Sequence, residues 1–318
     1  MTNTPAIPVV CVVGSANMDL ITRVPRLPRI GETLSGRSFH LVVGGKGANQ
    51  AVMAARLGAQ VTMVARVGND VFGEEMLRNL ASHGVDTAHV RVDKTLSSGV
   101  APIFVDDDAN NVIVIVAGAN GALSPDDVDA ARGALLASNV LIGQLEVPIE
   151  TTTAAFRLAR DAGILTILNP APAVMLPAEL LALTDICVPN ETEIEILTGM
   201  QIRTLQETER AARMLLQSGM KSVIVTLGEQ GVFYVDAQTT LHIPAFEVKA
   251  VDPTGAGDAF IGALAVFLSE GQTLTFALTN ASAVAAMSVM RIGAQVSFPR
   301  RAEVYAFMAL HPRVERRA

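Results

Sequence analysis

Residues 252–258, with the sequence Asp-Pro-Thr-Gly-Ala-Gly-Asp, bring together groups that could carry out a group transfer. They directly precede the apolar run 259–268, which is typical of a buried helix. Small residues at a helix start leave backbone N–H groups unpaired, and these groups bind anions with the help of the helix dipole. Phosphoryl transfer to a hydroxyl needs such donors beside an acceptor for the leaving proton, here the carboxylate of Asp258. The candidate anion hole consists of Gly255, Ala256 and Gly257. An ordinary turn with an N-capping aspartate is the alternative interpretation.

A second glycine-rich segment, Gly-Gly-Lys-Gly-Ala-Asn-Gln, occupies residues 44–50. It is not a Walker A loop, because no Ser or Thr follows Lys46 and no glycine lies five positions before Gly45. Its glycines allow the backbone to approach a ligand closely, and Lys46 and Asn49 place polar groups near the start of the next helix. The alternative is a loop that only connects a strand to a helix.

Polar residues also follow the first predicted strand. Asn17 and Asp19 lie two positions apart in a β-like segment, so they face the same side. Ligands of parallel α/β proteins bind at the carboxyl ends of strands, and an amide with a carboxylate suits a pair of vicinal hydroxyls. A turn held by Asn and Asp side chains is the alternative.

Two other polar segments have structural explanations of their own. Asn190 and Glu193 match a capping box at the start of a short helix. Residues 226–231 match a tight turn between two strands, which would explain Gly228 and Gly231 without any ligand.

Composition limits the possible classes of protein. The chain has 318 residues, of which 50% are hydrophobic and 17% charged, so disorder is not expected. Its mean hydropathy is +0.39, yet no apolar run reaches the ~18 residues of a membrane span.

The net charge of -7, without a basic block, argues against nucleic acid as a partner. Residues 1–8 lack a signal-peptide pattern, which predicts a cytoplasmic location. Cys11 and Cys187 lie in apolar runs and are predicted core residues.

Short apolar runs alternate with helical patterns along the chain, which predicts a mostly parallel sheet covered by helices on both faces, a three-layer α/β/α sandwich. The predicted strands are 9–13, 61–67, 140–145, 164–168, 186–188 and 223–227. The predicted helices are 49–57, 74–82, one starting at 124–127, 151–161, 191–197, 207–217, 259–269 and 274–290.

One region departs from this alternation. Residues 99–105 and 111–116 are β-rich and flank three aspartates at 106–108, which predicts an antiparallel hairpin with a solvated tip. A metal site at these aspartates is the less favoured alternative. With the strand-like residues 33–43, the hairpin predicts a small antiparallel sheet that stands off the main layer as a lid.

Taken together and in this order, these segments resemble the ribokinase-like family of sugar kinases. The resemblance extends from about residue 10 to residue 297. It is carried by the segments at 14–19, 44–50, 118–120 (Gly-Ala-Asn), 169–173 (Asn-Pro-Ala-Pro-Ala), 189–193, 226–228 and 252–258. Two of them, 44–50 and 169–173, resemble the ribose-specific members more than the fructose or nucleoside kinases.

The resemblance implies a single kinase domain over residues 1–318, with a lid from about 17–43 and 99–117. It implies ATP-dependent phosphorylation of ribose at its 5-hydroxyl, with Mg²⁺, a monovalent cation such as K⁺, and a dimer formed through the lids. A kinase of the same family acting on 2-deoxyribose, another sugar or a nucleoside is the alternative, and an inactive sugar- or nucleotide-binding sensor is less favoured.

The family also implies roles for individual residues. Asp258 is the implied catalytic base, and Gly255, Ala256 and Gly257 the implied anion hole. The implied sugar contacts are Asn17, Asp19, Gly45, Lys46, Asn49 and Glu146. The implied nucleotide contacts are Asn190, Thr226, Gly228, Gly231, Gly257 and Ser282, with Glu193 near Mg²⁺. The implied monovalent-cation site comprises Asp252, Thr254, Ser288, Arg291, Gly293 and Ser297.

Two residues depart from the family pattern. Ser282 stands where members often carry Asn or His beside adenine, which affects the expected nucleotide preference. Met18 lies between the two implied sugar contacts, and we expect it to alter the pocket near one ring hydroxyl. Asp258, at a helix start, is expected to ionise readily and to be a weak base.

Overall fold

The computed structural model describes residues 7–108 and 110–311. The strands in these residues are β1 (Val9–Val13), β2 (Asn17–Arg23), β3 (Ser38–Gly44), β4 (Gln60–Gly68), β5 (Val85–Asp86), β6 (Val90–Asp93), β7 (Gly99–Val105), β8 (Asn111–Ile113), β9 (Val140–Gly143), β10 (Leu165–Leu168), β11 (Ile186–Cys187), β12 (Ser222–Thr226), β13 (Val232–Asp236) and β14 (Thr240–Ile243). The α-helices are α1 (Lys46–Arg56), α2 (Val71–Ser82), α3 (Pro125–Ala130), α4 (Arg132–Leu136), α5 (Ile149–Asp161), α6 (Ala178–Leu183), α7 (Glu191–Thr198), α8 (Leu205–Gln217), α9 (Ala256–Ser269), α10 (Leu274–Ser288) and α11 (Arg301–Leu310).

The main sheet has the strand order β14-β13-β12-β11-β10-β9-β1-β4-β5, and β6 also pairs with β4. Its pairs are parallel except β12–β13 and β13–β14. Strand β1 lies in the interior and is buried on both faces, which explains its unbroken apolar run.

Helices cover the main sheet on both faces. Val10 and Val12 of β1 belong to the core beneath α1, α9 and α10. Cys11 and Val13 point the other way, into the core beneath α5 and α8. The predicted three-layer arrangement is therefore confirmed, and so is the burial of both cysteines as free thiols.

A separate sheet has the order β3-β2-β7-β8. The predicted hairpin is present as the antiparallel pair β7–β8, and β2–β3 is also antiparallel, whereas β2 and β7 run parallel at its centre. The carboxylate of Asp106 accepts hydrogen bonds from the backbone N–H groups of Asp108 and Asn110, so it holds the turn. Ala109 lies outside the described residues.

Several boundaries differ from the predictions. Helix α1 begins at Lys46 and not at residue 49, because Gly45 takes a φ of 89° and supplies the helix start. Helix α2 begins at Val71 and not at residue 74, since Asp70 caps it by accepting from the N–H of Gly73. Strand β3 begins only at Ser38. Within the described residues, no helix has the length and apolar character needed to cross a membrane.

Candidate active site

The carboxyl ends of β1, β9, β10, β11 and β12 meet at one edge of the main sheet. Each of these strands ends at or is followed by polar residues, among them Asn17, Glu146, Asn169, Asn190 and Thr226. Helices α1 and α9 begin at the same edge and pack against each other. Because parallel strands end together, residues far apart in the chain are brought to one place.

Asp258 lies in the first turn of α9 and is 8% exposed. Its Oδ2 accepts a hydrogen bond from Nδ2 of Asn49, and its Oδ1 accepts one from Nε2 of Gln50, both at 2.9 Å. Gly255 precedes the helix with a φ of 78°, and a Cβ there would lie 2.7 Å from the Cβ of Ala294. Only glycine therefore allows the chain to enter α9 at this point.

Burial raises the pKa of Asp258 above its ordinary value, and the charge of Lys46 with the amides of Asn49 and Gln50 only partly opposes this. The expectation that Asp258 is readily ionised was wrong in direction, since desolvation outweighs the charge of Lys46 and the hydrogen bonds from Asn49 and Gln50. A carboxylate with a raised pKa is a better proton acceptor than an ordinary aspartate.

The backbone amides at the start of α9 differ from the predicted anion hole in one respect. The N–H of Ala256 donates to the carbonyl of Pro253 at 3.1 Å, so it is already used by the turn. The N–H groups of Gly257 and Asp258 have no partner in the residues the structure describes, and no side chain caps the helix. A Cβ at Gly257 would meet no atom within 4 Å, so this glycine faces open space.

These amides border a cleft of about 150 Å³. It is lined by Lys46, Asn169, Val188, Asn190, Glu193, Thr226, Pro253, Gly255, Ala256, Gly257, Asp258 and Ile261. A larger cavity of about 750 Å³ lies at the opposite edge of the sheet, beside residues such as Leu165 and Ser222 that begin strands. That cavity contains none of the predicted site residues, so the smaller cleft is the candidate active site.

Lys46 is the cation of this cleft. Burial lowers its pKa, but the charges of Asp258, Glu146 and Glu193 outweigh burial and raise the pKa above its ordinary value. Lys46 is therefore protonated at neutral pH and can neutralise an anionic ligand. Its backbone N–H donates to Oε2 of Glu146 at 3.0 Å, which also accepts from the hydroxyl of Ser15 at 2.5 Å. Glu146 thus fixes the start of α1.

Asn17 and Asp19 project from one face of β2, as predicted. Oδ1 of Asn17 accepts from Nδ2 of Asn120 at 2.7 Å, and Asn120 also bonds the backbone N–H and carbonyl of Ala16. Burial, with the charges of Glu146 and Asp258, raises the pKa of Asp19 to about 7. Met18 lies in the main apolar core, 1% exposed, on the opposite face of β2. Its side chain therefore points away from the face that carries Asn17 and Asp19.

Glycines make room for both polar side chains. A Cβ at Gly44 would lie 2.5 Å from Oδ2 of Asp19, and a Cβ at Gly99 would lie 2.3 Å from Oδ1 of Asn17. Both glycines sit on the strands that flank β2. Glycine at residues 44 and 99 therefore leaves space in the small sheet for the side chains of Asp19 and Asn17.

Asn190 and Glu193 form the expected capping box at the start of α7, and both also line the cleft. Burial raises the pKa of Glu193, although the N–H of Asn190 and the charge of Lys46 oppose the shift. Thr226 lies beside Asn190 at the end of β12.

Gly257 also lines the cleft, whereas the implied nucleotide contacts Gly228, Gly231 and Ser282 do not. Gly228 and Gly231 form the tight turn between β12 and β13, and a Cβ at Gly231 would lie 2.1 Å from the carbonyl oxygen of Ile243. The structural explanation therefore accounts for Gly231. Ser282 is buried in α10, and its hydroxyl has no hydrogen-bond partner within the described part of the chain.

The implied cation site divides into two groups. Asp252, Thr254 and Gly293 meet, because the carboxylate of Asp252 accepts from the N–H of Thr254 at 2.9 Å and of Gly293 at 2.8 Å. Burial alone would raise the pKa of Asp252, but these hydrogen bonds hold it below its usual range. By contrast, the hydroxyls of Ser288 and Ser297 donate to carbonyls of their own segments, and Arg291 pairs with Glu303.

Sequence reasoning named Asn49 only as a sugar contact and missed the other amide side chains around Asp258. Gln50 closes the segment 44–50 and Asn169 opens the segment 169–173, so both lay in quoted motifs without a role. Gln144 follows β9 at the functional edge of the sheet, a position that could have signalled it. Nothing in the sequence around Gln295 indicated its contact with Asn49.

The fold and this site, with unpaired amides at a described helix start beside a buried carboxylate and a cation, fit a kinase that acts on a small hydroxyl compound. Residues 8–301 match the model of the pfkB family of carbohydrate kinases. A deoxyribokinase from Salmonella typhi is 43% identical over 303 residues, 95% of this chain and 99% of that protein. A ribokinase from Haemophilus influenzae is 40% identical over 297 residues, 93% of this chain and 97% of that protein.

Solved structures give the same result. An Arabidopsis thaliana ribokinase complexed with ribose and ATP is 33% identical and superimposes with a TM-score of 0.89, covering 95% of this chain and 99% of that chain. The chain therefore belongs to the pfkB family of carbohydrate kinases, and it is an ATP-using sugar kinase.

Proposed function

We propose that this chain transfers the γ-phosphoryl group of ATP to the 5-hydroxyl of D-ribose, giving D-ribose 5-phosphate. The observation that carries the proposal is the carboxylate of Asp258 at the edge of the cleft, beside the N–H groups of Gly257 and Asp258, which have no partner among the described residues. Relatives named ribokinase and deoxyribokinase, similar over nearly their whole length, support a pentose as the acceptor.

In this proposal Asp258 accepts the proton of the sugar hydroxyl. The hydroxyl oxygen forms a bond to the γ-phosphorus, and the bond from that phosphorus to the oxygen of ADP breaks. Gly257, Asp258 and Lys46 stabilise the negative charge on the transferring group through two backbone N–H groups and an ammonium. Asn17 and Asp19 hold ring hydroxyls, and the small sheet excludes water as a lid.

The residues present fit the metal ions of the proposal. Glu193 lines the cleft, and one carboxylate with water and phosphate oxygens is a donor set that Mg²⁺ prefers. Mg²⁺ bound there with ATP would neutralise phosphate charge. Asp252 stays ionised, which suits a monovalent cation such as K⁺ beside it. Asn190, Thr226 and Gly257 are the proposed nucleotide contacts that line the cleft.

We further propose one kinase domain over residues 1–318, a cytoplasmic location and a dimer formed through the lids. The support for the dimer is the apolar outer surface of the small sheet, where Phe39 is 58% and Leu41 53% exposed.

The test is ADP release with ribose and Mg-ATP by the wild-type chain and by Asp258→Asn. The variant should lower kcat by about 10²–10⁴-fold, because the proton acceptor is lost, while sugar binding measured by calorimetry is retained. Asp127→Asn is the matched control, since Asp127 is also a buried carboxylate but pairs with Arg66 away from the cleft. Wild-type turnover by Asp258→Asn would refute the proposed base.

A second candidate substrate is 2-deoxyribose, which the 43% identity to a deoxyribokinase favours. The ratio of kcat/KM for ribose to that for 2-deoxyribose decides between them. A ratio well above 1 supports ribose as the substrate, whereas a ratio below 1 assigns the chain to the deoxy sugar.

A further inference from the structure

The side-chain amides of Asn49 and Gln50, which donate hydrogen bonds to Asp258, accept hydrogen bonds from other side-chain amides. Oδ1 of Asn49 accepts a hydrogen bond from Nε2 of Gln295 at 2.9 Å, and Oε1 of Gln295 accepts one from Nδ2 of Asn79 at 2.6 Å. These three side-chain amides form a hydrogen-bond chain that ends at Oδ2 of Asp258.

A second chain ends on the other carboxylate oxygen. Oε1 of Gln50 accepts from Nε2 of Gln144 at 2.7 Å, and Nε2 of Gln50 donates to Oδ1 of Asp258. The same nitrogen of Gln50 also donates to Oδ1 of Asn169 at 3.1 Å.

In both hydrogen-bond chains, all the amides point the same way. Each amide turns its N–H groups toward the carboxylate and its carbonyl away from it, so the dipoles add and each hydrogen bond polarises the next. Without Gln295, Asn49 would be free to rotate its carbonyl toward Asp258. Water cannot easily replace these contacts, because Gln295 is 4% exposed and Gln144 is fully buried.

Gln295 also lies beside the anion-binding helix start. It begins a short 3₁₀ turn, and the preceding Ala294 packs against Gly255, the residue from which α9 begins. Ala294 and Gln295 therefore contact both Asn49, which holds Asp258, and Gly255, which precedes the anion-binding amides.

We propose that Gln295 and Gln144, which do not contact Asp258, are positioning residues for phosphoryl transfer and act through Asn49 and Gln50. They hold the carboxylate in a single orientation toward the attacking hydroxyl. This inference rests on the proposed role of Asp258 as the base.

The test is a double-mutant cycle between Gln295→Met and Asp258→Asn, followed by single-turnover kinetics. Met keeps the approximate shape of Gln but has no amide. In the wild-type background Gln295→Met should lower kcat about 10-fold, since a base misplaced by a fraction of an ångström loses alignment. In the Asp258→Asn background the same change should alter the rate less than about 2-fold.

Gln144→Met tests the second chain independently, including the case in which Gln295→Met does not fold. Because Gln50 is not among the proposed sugar contacts, Gln144→Met should lower kcat several-fold with an unchanged KM for the sugar. Thr208→Val is the control, since it removes a buried hydroxyl from α8, away from the cleft, and should leave kcat intact.

The outcomes separate this inference from the proposed function. Equal losses in both backgrounds, or losses that follow only the fraction of folded protein in thermal melts, would show a merely structural role and overturn the inference. Wild-type kcat in both methionine variants, with Asp258→Asn inactive, overturns it while leaving the base in place. An active Asp258→Asn overturns the proposed base itself.

Discussion

The largely buried carboxylate of Asp19 lowers the stability of the folded protein at neutral pH. Its folded-state pKa is about 7 because of burial and of the charges on Glu146 and Asp258, whereas an unfolded aspartate ionises near 3.8. The folded state therefore holds a proton that the unfolded chain has lost, and stability falls as the pH rises from about 4 to 7. The cost is fully present above pH 7.

Replacing Asp19 by Asn should raise the free energy of unfolding at pH 8 by about 1–3 kcal/mol and change it little at pH 4. Urea unfolding at both pH values measures the difference. A control is Asp86→Asn, an exposed carboxylate that accepts a hydrogen bond from the backbone N–H of Ala88. Equal effects of Asp19→Asn at pH 4 and pH 8 would contradict the assigned pKa.

At the residue scale, the sequence was sufficient where local pattern determines position. Asn17, Asp19 and Asp258 could be predicted to lie near one another because strand ends and helix starts have recognisable residues, and parallel strands bring those ends together. The direction of the Asp258 pKa was missed because burial by distant segments, and not the helix start, determines it. Gln295 was missed because it is 246 positions from Asn49, and such a contact leaves no local signal.

At the element scale, a glycine lets strand β7 lie close to the polar side chains at the start of the small sheet. Strand β7 enters the small sheet at Gly99, opposite Asn17 of β2. A side chain at residue 99 would meet Oδ1 of Asn17 at 2.3 Å and Nδ2 of Asn120 at 2.2 Å. The strand pattern predicted β7 well, but not this requirement, because period-two alternation carries no information on which cross-strand neighbour is polar.

Gly99→Ala should therefore raise the KM for the sugar about 10-fold or more, because Asn17 is displaced from its place on the sheet. Steady-state kinetics and calorimetric titration with the sugar test this. Gly121→Ala is the matched control, since its Cβ would lie an ordinary 3.5 Å from the Cβ of Ala117. If both variants bind the sugar like the wild type, Asn17 does not contribute to the sugar site.

At the scale of the whole molecule, the small sheet leaves an apolar surface without a cover. Cross-strand register places Phe39, Leu41 and Val112 on one face of the sheet, opposite the face of Asn17 and Asp19. Their side chains are 58%, 53% and 42% exposed. In the proposed dimer, the small sheet of a second copy covers this apolar surface.

The double variant Phe39→Lys with Leu41→Lys should therefore sediment as a monomer of 33.4 kDa, while the wild type sediments at about twice that mass at micromolar concentration. Two charges on each copy cannot be buried against each other without a large desolvation cost. Leu136→Lys on α4 is the control, because Leu136 is 44% exposed but lies outside the small sheet. A wild-type chain that sediments as a monomer, or a double variant that stays dimeric, would show that this face does not join two copies. If the lids do pair, loss of the dimer should also raise the KM for the sugar, since each lid then stands over its cleft without support.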